Sequence, residues 1–161
     1  SGRSQERMLE IMKDSRVGAF GVTAFGLYLL IKFSLLLDLP ASITGLALFV
    51  MPVIGRLAMV MVITFFPYAR QDGMGKAFAG FGGGKTLAVA LIITMVIILP
   101  AGRLAFFALL TAGLFAILTG RYITGLLGGL TGDVYGALTE LAELVVLAVI
   151  LAAQNSAWAM L

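Results

Sequence analysis

The chain contains no cysteine and no histidine. Their absence excludes thiolate and imidazole metal sites, cysteine nucleophiles, Ser-His triads and disulfides within the chain. Oxygen is left to hold any metal, which favours Mg²⁺, Mn²⁺ or Ca²⁺. Charge is scarce too: Asp, Glu, Lys and Arg make up 12% of the 161 residues, against roughly 25% in soluble globular domains. The net charge of +3 is small and the basic residues form no clustered patch, so nucleic acid is not an expected partner. What the chain has in abundance is apolar surface. Hydrophobic residues reach 61% and the mean hydropathy is +1.09. The fold class that follows is all-α, a polytopic transmembrane helical bundle with the lipid bilayer as its solvent.

The apolar runs divide the chain into about five spans, at 17–37, 41–66, 86–100, 104–118 and 134–151. A crossing takes about 20 residues, and the third and fourth runs are short for that. Residues 1–16 read as a charged cytoplasmic helix, and 17–161 as the helices and loops of a single membrane domain. Segment 67–85 is the one long polar loop, while 37–42, with Pro40, is a tight turn. The opening at Ser1 has no initiator Met and no signal peptide, and its charged residues read as the interior of a longer protein.

With the N-terminus in the cytoplasm, Arg3, Arg7, Lys13, Arg16, Arg70, Lys76, Lys85 and Arg121 fall on the cytoplasmic side. Only Arg103 falls opposite, while Lys32 and Arg56 lie within spans. That asymmetry obeys the positive-inside rule and places the chain, multi-pass, in a cytoplasmic (inner) membrane. The acids gather on the same side, so an active site would face the cytoplasm.

Asp133, Glu140 and Glu143 lie in a segment that is otherwise membrane-grade. Spacings of seven and three set them within an arc of roughly 80° on a helix. Each ionisable group at bilayer depth costs roughly 2.5–3.5 kcal/mol, so the stripe needs a metal, facing arginines or a polar cavity. A structural ion pair to Arg56 or Arg121 is the plainer alternative. Near the N-terminus Glu6, Glu10 and Asp14 follow one another at i+4, flanked by Arg7 and Arg16, a pattern that a solvated helix also produces. Arg56 sits mid-span after Gly55, and its planar fork needs a carboxylate or phosphate. The loop Tyr68-Ala69-Arg70-Gln71-Asp72-Gly73-Met74-Gly75-Lys76 could cover a phosphorylated or planar ligand, or serve only as a basic cytoplasmic loop.

From Gly120 to Gly136 glycines are dense, with Gly125/Gly129 and Gly128/Gly132/Gly136 at small-xxx-small spacing. Such spacing lets helix backbones approach closely, and bare backbone near Thr131–Asp133 could also approach a phosphate. Gly80-Phe81-Gly82-Gly83-Gly84-Lys85-Thr86 only imitates a P-loop. Its first required glycine would fall at Ala79, no strand precedes it, and it runs into a membrane span. It reads as a flexible loop ending in a basic interface anchor.

The run Arg7-Met8-Leu9-Glu10-Ile11-Met12-Lys13-Asp14-Ser15-Arg16-Val17-Gly18, with Ser1-Gly2-Arg3-Ser4 before it, resembles the cobalamin synthase family, the adenosylcobinamide-GDP ribazoletransferases. Gly55-Arg56, Tyr68-Ala69-Arg70 with Gly73 and Gly75, and Gly129-Leu130-Thr131-Gly132-Asp133 with Gly136-Ala137 and Glu140-Leu141 match in the expected order. The chain departs from the family in one respect: the family's Asp-Gly-Leu-Ala-Asp motif, with a further Asp, lies upstream of Ser1. The resemblance implies transfer of the cobinamide-phosphate moiety of adenosylcobinamide-GDP to α-ribazole or its 5′-phosphate, with release of GMP. It implies Mg²⁺ held by Asp14 and Asp133, with Glu10, Glu140 and Glu143 next. Asp14, Arg16, Asp133 and Glu140 become the catalytic candidates, and Arg56, Tyr68, Arg70, Lys76 and Arg121 the candidates for nucleotide and pyrophosphate contacts. Self-association into a homo-oligomer is left open.

Without the resemblance, intramembrane acids with Arg would fit an ion- or proton-coupled transporter, or a subunit whose charges only fix helix pairing. The layout argues against transport, because little beyond Lys32, Thr94 and Arg103 carries polarity to the far side.

Overall fold

The computed structural model describes residues 4–14 and 16–155. Residues 1–3 and Ser15 of the N-terminal motif lie outside the described residues, as do 156–161. Seven α-helices follow in order: α1 (Gln5–Ile11), α2 (Ala19–Asp38), α3 (Ala41–Phe65), α4 (Met74–Gly80), α5 (Gly84–Ile98), α6 (Gly102–Leu127) and α7 (Gly132–Asn155). In lipid the backbone has no water to bond, so long apolar runs close their own hydrogen bonds as helices. Four stretches are long and apolar enough to cross a membrane: Ala19–Asp38, Ala41–Phe65, Gly84–Leu127 and Gly132–Gln154. The third covers 44 residues, far more than one crossing needs, and a 3₁₀ turn at Leu99–Ala101 divides it into α5 and α6. Gly102, at φ 76°, takes the left-handed conformation that re-aims the chain there. Division at this turn is roughly consistent with the five apolar runs of the sequence.

Two boundaries differ from expectation. α6 runs nine residues past the anticipated 118, which leaves Arg121 inside a helix instead of in a loop. The long loop carries a helix of its own, α4.

The centre of the bundle is the packing of α3, α6 and α7. Along α6, Ala105, Ala108, Ala112, Gly113, Ala116 and Gly120 are buried in one small-residue stripe. Small side chains let backbones approach, which substitutes for the hydrophobic drive that lipid does not supply. Val50, Ile54, Leu57 and Val62 of α3 meet Leu138, Ala142, Val146 and Leu147 of α7 in the same core. Helix α5 lies against α3 and α2 against α7. No residue of α2 is buried, so it faces lipid almost all round.

α1, though only seven residues, is fixed at its N-terminal end. Ser4 caps it, accepting from the Arg7 backbone N–H at 3.4 Å. Gln5 reaches the other end of the chain, its Nε2 donating to the Leu127 carbonyl at 2.6 Å. That carbonyl is free because α6 stops at Gly128, left-handed at φ 73°, directly under the Gln5 amide. Gly128→Ala is therefore expected to cost about 1–2 kcal/mol in backbone strain. It should also displace Gln5, which faster proteolysis at Arg7 and Lys13 in detergent-solubilised protein would register.

Candidate functional site

The chain's polar groups assemble in two places. The first is where the α3–α4 connection lies on the start of α7. Leu130 N–H donates to the Pro67 carbonyl and Ala69 N–H to the Leu130 carbonyl, both at 2.8 Å, giving the isolated parallel bridge Tyr68–Leu130. Main chain meets main chain here, and only glycine permits it. A Cβ on Gly129 would stand 2.6 Å from the Pro67 oxygen and 2.8 Å from the Ala69 nitrogen. A Cβ on Gly75 would meet the Tyr68 ring and hydroxyl at 2.8 Å and the Gly132 nitrogen at 2.9 Å.

This contact sets the side chains. Arg70, only 14% exposed, donates through Nη2 to an Asp133 carboxylate oxygen at 3.2 Å, while Asp133 is 65% exposed. Arg70 Nε is buried without a hydrogen-bond partner among the described residues, as is the Tyr135 hydroxyl. The Tyr68 and Tyr135 rings lie 6.3 Å apart at 35°. Thr131, fully buried, caps α7 by accepting from the Val134 N–H at 3.4 Å. The result is the N-terminus of a long helix, with its unpaired N–H groups and positive dipole end, beside an arginine and two tyrosines. Such a surface binds anions, phosphate above all.

The second place is deeper, between α2 and α7. Lys32 Nζ lies 2.6 Å from Glu143 Oε2, 3.1 Å from Glu140 Oε2 and 2.6 Å from the Tyr28 hydroxyl. The Tyr28 hydroxyl in turn donates to Glu140. Glu143 is 7% exposed and Glu140 47%. The Glu143 side chain lies against α3 at Gly55, where a Cβ would come within 2.9 Å of Glu143 Cγ and 3.3 Å of the Thr139 carbonyl. One lysine thus serves two acids one turn apart, and Gly55 makes the room.

The sequence-expected residues therefore divide. Asp133 is separated from Glu140 by seven residues, roughly 10 Å of axial rise, and the stripe splits between Arg70 and Lys32. The structural alternative anticipated Arg56 or Arg121 as partner; Lys32 fills that role. Arg56 is exposed beside Gly55 and close enough to Glu140 for its charge to act there, yet among the described residues it makes no ion pair. Arg121 is exposed on α6, also without an ion pair there. Asp14 and Arg16 pair with each other, Nη2 to Oδ2 at 2.8 Å, and Glu10 pairs with Arg7 at 2.6 Å. All four are exposed, and Arg16 hydrogen bonds hold the Asp14 carboxyl below its ordinary pKa. Lys76 donates to the Gln71 carbonyl and stands 4.0 Å from Asp72. The contacts that join Tyr68, Arg70 and Asp133 do not extend to Asp14 or Glu10.

Among the described residues no three acids converge on one point, so an all-protein metal cage is not formed there. Asp133 remains suited to Mg²⁺ in another way, since that ion is commonly held by one or two carboxylates together with substrate phosphates. Lys32 and Tyr28 were missed as site residues. Lysine in an apolar run was a visible signal, but its i,i+4 neighbour Tyr28 and its facing helix were not.

The family model for cobalamin-5-phosphate synthase matches residues 1–151. A protein named adenosylcobinamide-GDP ribazoletransferase from Desulfitobacterium hafniense (strain Y51) is 43% identical over 91% of this chain and 60% of its own length. Its namesake from Desulforamulus reducens is 44% identical over 96% of this chain and 63% of its own length. The one from Roseiflexus sp. (strain RS-1) is 42% identical, covering 92% and 55%. The chain thus spans about 55–63% of the length of these relatives. No solved structure matches.

Two outcomes follow from the geometry of the two places. Gly129→Ala forces backbone against backbone and is expected to cost about 1–3 kcal/mol, read as a lowered Tm in detergent. Lys32→Met leaves two acids facing each other and should cost about 3 kcal/mol, most of it recovered when Glu143→Gln is added. Tm values for the two single variants and the pair, in nanodiscs, check the coupling. Additive losses would mean the ion pair does not exist.

Proposed function

The chain belongs to the cobalamin-5-phosphate synthase family, and on that premise we propose that it takes part in the transfer its relatives are named for. The proposed substrates are adenosylcobinamide-GDP and α-ribazole or its 5′-phosphate. A ribose hydroxyl of the acceptor attacks the cobinamide-linked phosphorus, the phosphoanhydride bond to GMP breaks, and the hydroxyl proton passes to a carboxylate. GMP leaves with the negative charge.

The observation that carries this reading is the docking of the α3–α4 connection onto the start of α7. Transfer at phosphorus relies on positioning and charge neutralisation more than on covalent help. Arg70 presents a guanidinium whose Nε has no partner among the described residues, next to the helix N-terminus. In our reading Arg70 and the first N–H groups of α7 bind the pyrophosphate, and Tyr68 stacks on or hydrogen-bonds the guanine. Asp133, the most exposed acid of the α7 set, accepts the proton or orients the attacking hydroxyl. Lys76 would meet outer phosphate oxygens, with Arg121, Arg16 and Asp14 at the rim. Mg²⁺, where bound by Asp133 and the substrate phosphates, would neutralise the charge on the pyrophosphate.

Glu140 and Glu143 take a supporting part, since both already pair with Lys32. The same pairing weakens the transporter alternative, because a carrier's acids must be free to load and release an ion. We place the site on the cytoplasmic face of the inner membrane, where the Lys/Arg asymmetry puts the loop.

The test is GMP release by the protein in liposomes, with adenosylcobinamide-GDP, α-ribazole and Mg²⁺. Arg70→Gln and Asp133→Asn should each lower kcat roughly 10²-fold or more, with Tm changed by little. Full activity in both variants would sink the assignment. Activity that survives Arg70→Gln but not Lys32→Gln would move the chemistry to the deeper cluster.

A further inference from the structure

On the face of α3 opposite α7, two cavities of about 400 and 420 Å³ adjoin, since Ala90 and Ile93 of α5 line both. The outer cavity begins at Lys85 and Thr86 in the first turn of α5 and continues past Val89. The inner one extends it between α3 and α5 as far as Ile97. From Lys85 to Ile97 a helix rises roughly 18 Å, close to half of the bilayer's hydrocarbon thickness of about 30 Å. Val89 and Ile93, 57% and 53% exposed, open this groove to the lipid side.

Its charges are all of one sign. No Asp or Glu lines either cavity, whereas Lys85 stands at the mouth and Arg56 borders the inner part. Lys85 is exposed and makes no ion pair among the described residues. The mouth lies in the first turn of α5, at the start of a stretch long and apolar enough to cross a membrane. Thr86 Oγ1 donates to the Phe81 carbonyl at 2.7 Å.

We infer that the α3–α5 groove is a binding site for one anionic phospholipid of the cytoplasmic leaflet. Its phosphate is held by Lys85, and one acyl chain descends past Val89, Ala90 and Ile93. The groove supplies the length and polarity of an acyl chain, and the lysine supplies the preference for negative charge. Nothing in this site depends on the transferase reading, so either can fail alone.

Native mass spectrometry of the protein, released from mild detergent with equal phosphatidylglycerol and phosphatidylcholine, reads the site directly. Wild type is expected to retain one phosphatidylglycerol in preference. Lys85→Gln should weaken that retention roughly fivefold, the share of one lysine near a charged surface. Ala90→Phe, which fills the groove, should lower retention of both lipids, with circular dichroism confirming the helices. Equal retention of the two lipids by wild type overturns the proposal, and so does unchanged phosphatidylglycerol binding in Lys85→Gln. Displacement of the lipid by millimolar inorganic phosphate would also overturn it, because the site would then read phosphate alone.

Discussion

The contact of bare backbone at Gly129 with the main chain of Pro67–Ala69 is the constraint on which the polar half of this protein depends. Two hydrogen bonds of 2.8 Å close it, and no side chain larger than hydrogen fits at Gly129. It fixes where α7 begins and which way the α3–α4 connection runs. Tyr68, Arg70, Gly75 and Asp133 take their places from it. An anion site built this way rests on backbone instead of long side chains, so little order has to be created when ligand arrives.

The deeper cluster has a different purpose. Helix α2 buries none of its residues and packs chiefly on α7. In lipid an apolar helix gains little by touching another apolar helix, so Lys32 and Tyr28 supply the specificity that packing cannot. They tether α2 to Glu140 and Glu143, and Gly55 lets α3 close over Glu143. An ion pair of this kind fixes register more than it adds stability, since each charge has first to be taken out of water.

Much of this was legible in the residues. Composition alone implied a helical membrane bundle, and the apolar runs located α2, α3, α5 and α7 to within a few residues. Runs of hydropathy could not show that α6 continues to Leu127, because Thr119, Gly120 and Arg121 lower the average while Gly120 packs against Phe66. The pairing of acids was not legible either. Helical spacing put Asp133, Glu140 and Glu143 on one stripe, but one end of the stripe faces the α3–α4 connection and the other faces α2. Lys32 and Arg70 both lie far before α7 in the sequence, and only the topology brings them to it. The motif residues Tyr68, Arg70, Gly129 and Asp133 were grouped by resemblance, and the structure supplies the physical reason they belong together. Asp14 and Glu10, grouped with them on the same ground, instead pair within their own segment with Arg16 and Arg7.

The polar groups fall into a proposed anion site at the start of α7 and a structural clasp between α2 and α7. Binding of GDP to the protein in nanodiscs, measured by calorimetry for wild type, Arg70→Gln and Lys32→Gln, tests that division directly. The account predicts at least tenfold weaker binding in Arg70→Gln, as expected for a lost charge-assisted contact, and wild-type affinity in folded Lys32→Gln. Binding that is unchanged in Arg70→Gln and lost in Lys32→Gln would contradict it.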